Sequence, residues 1–472
     1  MMPKFKFHAV RAASICAVFV FLTMLLTMKM TADSGLIQGL NSAVDTAQGD
    51  LITRETMKKT VEGQFLDRNG KPITAPQVDE NGQDIPGVPA QIVFDECYSY
   101  LIGFRTKANK FEGLRNRMMT NICLGGMDYV GAQITLTTDN DLQEYCYEIL
   151  GKQEGSIIVM EAHTGELLAF TSRSSADLGY DADLYNEKYD EYSEKNAFFS
   201  NRATWSADPP GSTFKIIMAA AMLENGMGDY TYDDHTGYYA VPGTNSSIHN
   251  VDRAHGAGVN MEYALNHSVN VYFASAAVKM PGYAFRNMLE KFQFNEPFPT
   301  EVGNIHSKLE LENWNVEYER AQAGFGQGKL LMAPLHTAMV MATVLNDGEM
   351  VVPHVVKGIY DDGGDALSQF REEKDTLTSF EVFSPETAAT LKEYLHSTAV
   401  GYGYKEETYG MVYAKTGTAD IANEQNHASI LIGVESEHGD YVILIDVRNT
   451  TKTSSALKND GHLILDHLLN MQ

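Results

Sequence analysis

Strand-like segments lie at two places far apart along the chain, and this separation constrains the fold more than any other feature. The segment GSIIVMEAHTGELLAFTSR, from Gly155, has the pattern strand, turn, strand, and three strand-like runs with short links follow near the end, MVYAKTGTAD, HASILIGVESE and DYVILIDVRNT. Helical spacing dominates between them, from 212 to 400, and SSALKNDGHLILDHLLNM closes the sequence as an amphipathic helix. Short links favour an antiparallel meander. We therefore predict an α+β domain, an antiparallel sheet flanked by helices, in which distant segments share one sheet.

The amino end contains an uncharged stretch from Ala12 to Met28. A helix of that length reaches about 25 Å, the short end of a membrane span, and the flanking Arg11 and Lys29 can extend it by snorkelling. The alternative is a cleaved signal peptide, whose apolar region is shorter and precedes a small-x-small site. Basic residues before the stretch favour a cytoplasmic amino end. We predict a single-pass membrane anchor with the rest of the chain outside.

Turn and composition signals suggest three parts. Residues 33 to about 62 are polar with helical spacing and are predicted to form a stalk, and the proline-containing stretch 75–90 is predicted to be loop. Asp139 or Asn140 is expected to cap a helix that follows it. The acidic, tyrosine-rich stretch DADLYNEKYDEYSEK is predicted to be a surface loop. The predicted organisation is a tail and transmembrane anchor at 1–29, a stalk and small pedestal domain at 30–150, and a larger domain at 151–472.

Charge and cysteine content exclude two classes of protein. The chain has 36 Lys and Arg against 62 Asp and Glu, a formal net charge of −26, which argues against nucleic acid as a partner. Four cysteines in 472 residues exclude a disulfide scaffold. Three cysteines lie beyond the anchor, so at least one is unpaired or pairs with another chain. We predict that these three are small buried apolar residues: Cys97, Cys123 and Cys146.

Ser212 and Lys215 belong to the strongest local feature, ADPPGSTFKIIMAAAMLENG. The Pro-Pro-Gly sequence cannot continue a helix backwards, so Ser212 lies at a helix start with Lys215 three residues later on the same face. A serine hydroxyl becomes a nucleophile when a base takes its proton, and a lysine amine can be that base if burial and nearby cations lower its pKa. The alternative for a lone S-x-x-K is a capping serine followed by a surface lysine.

Two further motifs favour the catalytic interpretation of Ser212 and Lys215 over the capping alternative. Ser268-Val269-Asn270 puts a hydroxyl and an amide two residues apart at a predicted loop–helix junction. Lys415-Thr416-Gly417-Thr418 lies on a predicted strand, where Gly417 lets a ligand approach the backbone closely. Thr416 can donate a hydrogen bond to a carboxylate, and Lys415 supplies positive charge. Each motif alone is weak, but the three in this order point to one site.

The order S-x-x-K, S-x-N, K-T-G resembles that of the penicillin-recognising serine acyltransferases. Several other segments look like parts of penicillin-binding proteins: FLDRNGKPIT, TGELLAFTS, SNRATWSADPPGSTFK, AGFGQGKLLMAPLHTAMVMATVLNDG and VVPHVV. The similarity covers most of 62–450 and is closest to the monofunctional, class B penicillin-binding proteins, the peptidoglycan D,D-transpeptidases. It implies a penicillin-binding-protein/β-lactamase-like transpeptidase domain at 151–472, on the extracytoplasmic face of a bacterial cell membrane.

The resemblance also implies roles for the motif residues. Ser212 would attack the carbonyl between the two terminal D-alanines of a peptidoglycan stem peptide, and Lys215 would accept its proton. Ser268, aided by Lys415, would relay a proton to the leaving D-alanine. Asn270 would hydrogen-bond the substrate amide. Thr416 and Thr418, with Gly417 between them, would hold the terminal carboxylate. The backbone N–H groups of Ser212 and Thr418 would form the oxyanion hole.

A β-lactam would acylate the same serine and stall there, and neither a cofactor nor a metal is implied. The cluster Asp233-Asp234-His235 offers no separated ligand set and is predicted to be loop. Where many relatives have an aromatic residue after His427-Ala428, this chain has Ser429, which would alter a cleft wall. The implied partner is a membrane-embedded glycan polymerase of the SEDS family.

Two alternatives stay open from the sequence. One is a hydrolase of the same superfamily, a D,D-carboxypeptidase or β-lactamase, which lets water reach the acyl-enzyme. The other is a β-lactam sensor or an inert scaffold in a wall-building complex. The sequence does not separate roles in division, elongation or sporulation.

Overall fold

The computed structural model describes residues 59–471 apart from 95, 104–112, 125–128, 175–200, 205–207, 312–313, 315, 362, 370–378, 422–424 and 451–453. The predicted anchor, most of the predicted stalk and the acidic, tyrosine-rich stretch lie outside the described residues. Within them, no helix combines the length and the apolar character that crossing a bilayer requires. Residues Thr60–Gln472 form one compact unit.

The strands, in chain order, are β1 Phe65–Leu66, β2 Thr74–Ala75, β3 Gln91–Ile92, β4 Gln133–Leu136, β5 Gly155–Glu161, β6 Leu167–Arg173, β7 Tyr232–Asp234, β8 Tyr238–Ala240, β9 Ser247–His249, β10 Gly256–Val259, β11 Phe298–Thr300, β12 Gly303–Ile305, β13 Lys308–Leu309, β14 Leu330–Leu331, β15 Glu349–Val351, β16 Val356–Tyr360, β17 Ala366–Gln369, β18 Ser379–Glu381, β19 Met411–Ile421, β20 Gln425–Ser436 and β21 Gly439–Thr450.

The α-helices are α1 Ser99–Ile102, α2 Gly113–Arg117, α3 Met119–Leu124, α4 Asn140–Leu150, α5 Lys215–Glu224, α6 Met261–Asn266, α7 Asn270–Lys279, α8 Gly282–Lys291, α9 Glu317–Gly324, α10 Pro334–Leu345, α11 Pro385–Tyr402, α12 Glu406–Tyr409 and α13 Leu457–Asn470. Short 3₁₀ turns lie at Glu96–Tyr98, Gly211–Phe214 and Ser454–Ala456.

A five-stranded antiparallel sheet in the order β19-β20-β21-β5-β6 is the centre of the fold. The predicted meander of the last three strands is therefore confirmed, as is the pairing of distant segments, since β21 lies beside β5. Helices cover both faces of this sheet, with α4 and α13 on one face and α10 on the other. Residues of β5 and β6 are buried on both faces, which explains their nearly continuous apolar runs.

Alternation along the strands separates the two faces of the sheet. Even-numbered residues of β19 and β20, such as Ala414 and Ile432, pack in one core cluster with α4 and α13. Odd-numbered residues face the other way, where a Cβ on Gly433 would lie 2.9 Å from the Met341 side chain of α10. This parity decides which K-T-G side chains point toward the Ser212 turn.

Local signals start and stop the helices around the sheet. Asp139 caps α4, because its carboxylate accepts hydrogen bonds from the backbone N–H groups of Asp141 and Leu142, so the predicted cap is confirmed. Ser384 caps α11, with Pro385 in the first turn and Gly403 in the left-handed conformation at the end. The predicted amphipathic closing helix is α13.

A second sheet, in the order β1-β4-β16-β17, joins the amino-terminal part of the unit to strands that follow α10. The mainly helical pattern expected from 212 to 400 is interrupted by short strands, β7 to β18, which pair mostly as two-stranded ribbons. Most of these strands are too short to establish a period of two, which is why the sequence pattern does not predict them.

The prediction of a loop at Asp233-Asp234-His235 is wrong for Asp233 and Asp234, which are the last two residues of β7. Asp234 accepts hydrogen bonds from the Gly237 N–H at 2.8 Å, the His255 N–H at 3.0 Å and Asn250 Nδ2 at 2.7 Å. Its carboxylate therefore organises the loops around it.

The three cysteines of the unit lie in its interior. Cys97, Cys123 and Cys146 are all buried, in agreement with the expectation for small apolar residues. Burial raises the pKa of the Cys146 thiol, because the thiolate form would lose its hydration there.

Candidate active site

Ser212 lies in the 3₁₀ turn Gly211–Phe214, which runs directly into α5. The turn packs against β19 at Gly211, whose φ is 61°. A Cβ at that position would lie 2.7 Å from the Thr418 carbonyl oxygen, so only glycine permits this approach. The Pro-Pro-Gly sequence thus both starts the helix and sets Ser212 beside the K-T-G strand.

Gly326 supports the same turn from the other side. The Gly211 N–H donates to the Gly326 carbonyl oxygen at 3.0 Å, and Gly326 has a φ of 87°. A Cβ on Gly326 would lie 2.6 Å from the carbonyl carbon of Gly211. Sequence reasoning did not assign Gly326 to the site, although three glycines at alternate positions in Gly324–Gly328 signal a close backbone approach.

The amine of Lys215 is the centre of the site and is completely buried. Its Nζ lies 2.9 Å from Ser212 Oγ, 2.7 Å from the Ser268 carbonyl oxygen and 2.7 Å from Asn270 Oδ1. Burial, together with the charge of Lys415, lowers the pKa of Lys215 well below its usual range. A neutral amine at this position can accept a proton.

Ser268 connects the two lysines. Its Oγ lies 3.0 Å from the Nζ of Lys215 and 3.1 Å from the Nζ of Lys415. Ser268 has a φ of 55°, a left-handed conformation that is rare outside glycine and stores strain. In this conformation both its hydroxyl and its carbonyl oxygen point at Lys215.

Lys415 is completely buried, and burial lowers its pKa to about 7. Its Nζ also donates to the Thr416 carbonyl oxygen at 3.2 Å. Because Lys415 is an odd-numbered residue of β19, it lies on the face of the sheet toward the Ser212 turn. Two buried amines share one serine, so each disfavours the charged form of the other.

Asn270 begins α7 and has a fixed orientation. Its Nδ2 donates to the His249 carbonyl oxygen at 3.0 Å, which leaves Oδ1 to accept from Lys215. The predicted loop–helix junction at Ser268-Val269-Asn270 is therefore confirmed. His249, at the end of β9, has no signal in the sequence, because its contribution is a backbone carbonyl.

Thr416 and Thr418 have the opposite parity to Lys415, so their side chains leave β19 on its other face, next to the free edge of the sheet because β19 is the edge strand. Thr416 Oγ1 lies 2.9 Å from the Tyr402 hydroxyl, and Thr418 Oγ1 donates to Ser454 Oγ at 3.0 Å. The structure thus joins five predicted residues in one hydrogen-bonded network, and the hydroxyls of the two threonines lie outside it. The five are Ser212, Lys215, Ser268, Asn270 and Lys415.

Gly417 allows the strand to lie close to the Ser212 turn. A Cβ there would lie 2.5 Å from Ser429 Oγ and 2.9 Å from the Pro210 carbonyl oxygen. Ser429, which we expected at a cleft wall, is instead buried behind Gly417, with 4% of its surface exposed. At their present spacing, β19 and β20 leave no room for an aromatic side chain at position 429.

Partly buried charges hold the loop before Ser212. Asp208 forms an ion pair with Arg448 of β21, and its carbonyl oxygen accepts from the Met332 N–H at 3.0 Å. On the neighbouring strand, His427 Nε2 lies 2.6 Å from Asp446 Oδ2. Burial acts to lower the pKa of His427, but the Asp446 carboxylate outweighs it and the pKa is raised.

A hydroxyl against a buried lysine, with a second serine bridging to a second lysine, is the arrangement of the serine acyltransferases that use lysine rather than histidine as base. Comparison with known proteins gives the family within this class. The family model "Penicillin binding protein transpeptidase domain" matches residues 155–465. The chain belongs to this family, as its motifs led us to expect.

Curated relatives are about a quarter identical to this chain over the aligned residues. Penicillin-binding protein 3 of Bacillus subtilis is 26% identical over 345 residues, covering 68% of this chain and 48% of the relative. Peptidoglycan D,D-transpeptidase MrdA of Haemophilus influenzae is 25% identical over 376 residues, covering 72% of this chain and 57% of the relative. The chain thus spans about half the length of these relatives.

Solved structures show the same fold. PBPA of Mycobacterium tuberculosis superposes with a TM-score of 0.75 at 19% identity, covering 87% of this chain and 100% of that structure. The ceftriaxone acyl-enzyme complex of penicillin-binding protein A from the same organism gives a TM-score of 0.74 at 18% identity, with 88% and 99% covered.

Proposed function

We propose that this protein is a peptidoglycan D,D-transpeptidase that crosslinks stem peptides through an acyl-enzyme on Ser212. The observation that carries the proposal is the 2.9 Å contact between Lys215 Nζ and Ser212 Oγ inside a network that includes a second buried lysine. The names of the curated relatives support the same reaction, since several are peptidoglycan D,D-transpeptidases.

The hydrogen bonds around Lys215 explain why it acts as the base. The Ser268 carbonyl oxygen and Asn270 Oδ1 can only accept hydrogen bonds. A neutral amine donates its two N–H bonds to these two oxygens at 2.7 Å and keeps its lone pair for the Ser212 hydroxyl. Ser212 Oγ can then attack the carbonyl between the two D-alanines while its proton passes to Lys215.

The proton must next reach the leaving D-alanine. Ser268 Oγ is within hydrogen-bond distance of both lysines, so it can give its proton to the leaving amine and take one from Lys215. Lys415 stabilises the oxygen of Ser268 during this exchange, because its amine is held at 3.1 Å. An amine of a neighbouring stem peptide then attacks the acyl-enzyme by the reverse route and forms the crosslink.

Three parts of the site would hold the substrate. Nδ2 of Asn270 has a second N–H besides the one that donates to the His249 carbonyl oxygen, and this N–H can hydrogen-bond the substrate amide. Thr416 and Thr418, with Gly417 between them, would bind the terminal carboxylate. The backbone N–H groups of Ser212 and Thr418 would stabilise the oxyanion, and the close packing of Gly211 against Thr418 supports this pairing.

The reaction is tested with purified full-length protein, a pentapeptide donor ending in D-Ala-D-Ala and an amine acceptor. We expect D-alanine release and a crosslinked product, both lost in Ser212→Ala and retained in Ser436→Ala, a serine at the β20–β21 turn at the far end of the sheet. Release of D-alanine that yields only hydrolysed donor at saturating acceptor would contradict transpeptidation and support a carboxypeptidase.

We also propose that the chain is anchored by Ala12–Met28 in the bacterial cytoplasmic membrane, with 30–150 as stalk and pedestal and 151–472 as the catalytic domain outside. The uncharged stretch and the basic residues before it support this placement. A SEDS-family glycan polymerase is the proposed membrane partner. Affinity purification from solubilised membranes is expected to recover such a polymerase with the full chain, and its consistent absence would contradict the partnership.

A further inference from the structure

Four hydroxyl groups line the side of β19 that faces α11 and α13. Tyr402, the last residue of α11, has its hydroxyl 2.9 Å from Thr416 Oγ1. Ser454, just before α13, has its Oγ 3.0 Å from Thr418 Oγ1. Each threonine of the K-T-G-T segment therefore has a hydroxyl partner supplied by a different element of the fold.

A cation lies next to the first of these pairs. Lys458 Nζ is 3.9 Å from the centre of the Tyr402 ring, within the range of a favourable cation–π contact. Among the described residues, Lys458 makes no ion pair with a carboxylate. Its charge is therefore available to an anion that binds near Thr416.

The direction of the Tyr402–Thr416 hydrogen bond matters for such an anion. A carboxylate only accepts hydrogen bonds, so the Thr416 hydroxyl must donate when a carboxylate is bound. The Thr416 oxygen is then free to accept, and the Tyr402 hydroxyl is in place to donate to it. This chain of donors strengthens the outer, charge-assisted hydrogen bond and keeps the Thr416 hydroxyl from turning away.

We propose that Tyr402 is a positioning residue that directs the Thr416 hydroxyl toward the terminal carboxylate of the substrate or β-lactam, and that Lys458 provides positive charge for that carboxylate. The inference rests on the proposed function and extends it to two residues outside the three motifs. It predicts that both residues affect the binding of the anionic end of the ligand and leave the bond-forming step unchanged.

The test compares benzylpenicillin, which has a carboxylate, with its uncharged methyl ester. Acylation of full-length protein is followed by stopped flow, which separates the dissociation constant of the first complex from the limiting acylation rate. Tyr402→Phe is expected to raise the dissociation constant for benzylpenicillin about fivefold, the value of one lost hydrogen bond. The limiting rate should stay within about twofold, and the methyl ester should bind each protein equally.

Tyr413→Phe is the matched control, since Tyr413 lies on the same strand and its hydroxyl bonds to Glu435 instead. Lys458→Met, with the exposed Lys405→Met as control, tests the charge and is expected to weaken benzylpenicillin binding about threefold at low salt and less at high salt. The lysine pair also serves if Tyr402→Phe does not fold.

An unchanged dissociation constant for benzylpenicillin in the Tyr402 and Lys458 variants, or an equal loss for its methyl ester, overturns the inference. Absence of any acylation of the wild-type protein contradicts the proposed function itself, so the two failures are distinguishable.

Discussion

Replacement of Gly326 by alanine should disable Ser212 without unfolding the protein. The new Cβ would overlap the Gly211 carbonyl oxygen and lie 2.6 Å from its carbon, whereas ordinary contacts are 3.4–4 Å, so the two backbones must separate by more than about 1 Å. Gly211 directly precedes Ser212, so this shift moves the nucleophile away from Lys215. A misplacement of about 1 Å costs on the order of a hundredfold in rate.

The same substitution also costs stability, and a control separates the two effects. Alanine in the left-handed region is disfavoured by roughly 1–2 kcal/mol. Gly364 has a φ of 83° and no atom within 4 Å of its Cβ position, so Gly364→Ala carries similar strain without the clash. Acylation by a fluorescent penicillin and thermal unfolding are measured for both variants. The reasoning is refuted if Gly326→Ala keeps acylation within about threefold of wild type, or if Gly364→Ala loses as much.

Three further predictions concern the charges of the site. Lys215→Met should slow acylation of Ser212 by about 10²–10⁴-fold, the usual contribution of a general base. Lys215→Arg should be equally slow, because a guanidinium cannot accept a proton. Time courses of penicillin labelling measure both rates. Lys415 has a pKa of about 7 in the folded protein, so between that pH and about 10.4 the unfolded chain holds a proton that the folded chain lacks. The free energy of unfolding should therefore rise by up to about 1.4 kcal/mol per pH unit across this window, and urea unfolding of Lys415→Met at about pH 7, 8 and 9 should show a slope smaller by that amount. The pKa of His427 is raised by Asp446, so this pair stabilises the fold at low pH and less as pH rises; Asp446→Asn should lower the melting temperature more at about pH 6 than at about pH 9, and an equal loss at both would contradict a charged pair.

Residues in contiguous motifs could be predicted from the sequence, because their spacing already carries the chemistry. Ser212 and Lys215 are one helical turn apart, and the motif of Lys415 alternates along a strand, so local geometry placed these groups before any tertiary contact was known. The same holds for the meander β19–β21, whose alternating runs and short links leave few other pairings.

Residues that act through long-range packing could not be predicted in this way. Tyr402 ends a helix with no motif, and its relation to Thr416 exists only because α11 packs against β19. We expected Ser429 at a cleft wall, but it is buried. Because Ser429 pairs with Gly417 on the neighbouring strand, the alternation of side chains along β20 turns it toward the interior. The alternating glycines of Gly324–Gly328 signal a close backbone approach, but the partner, Gly211, lies far away in the sequence and is fixed only by tertiary packing.

The central claim is that Ser212 is the acylated nucleophile, and the most direct measurement is the mass of the protein after reaction with benzylpenicillin. Intact mass spectrometry followed by peptide mapping should find one penicilloyl group per chain, on the peptide that contains Ser212, and none on Ser212→Ala. An adduct on a different residue, or an unmodified mass after prolonged incubation of folded protein, would contradict the account.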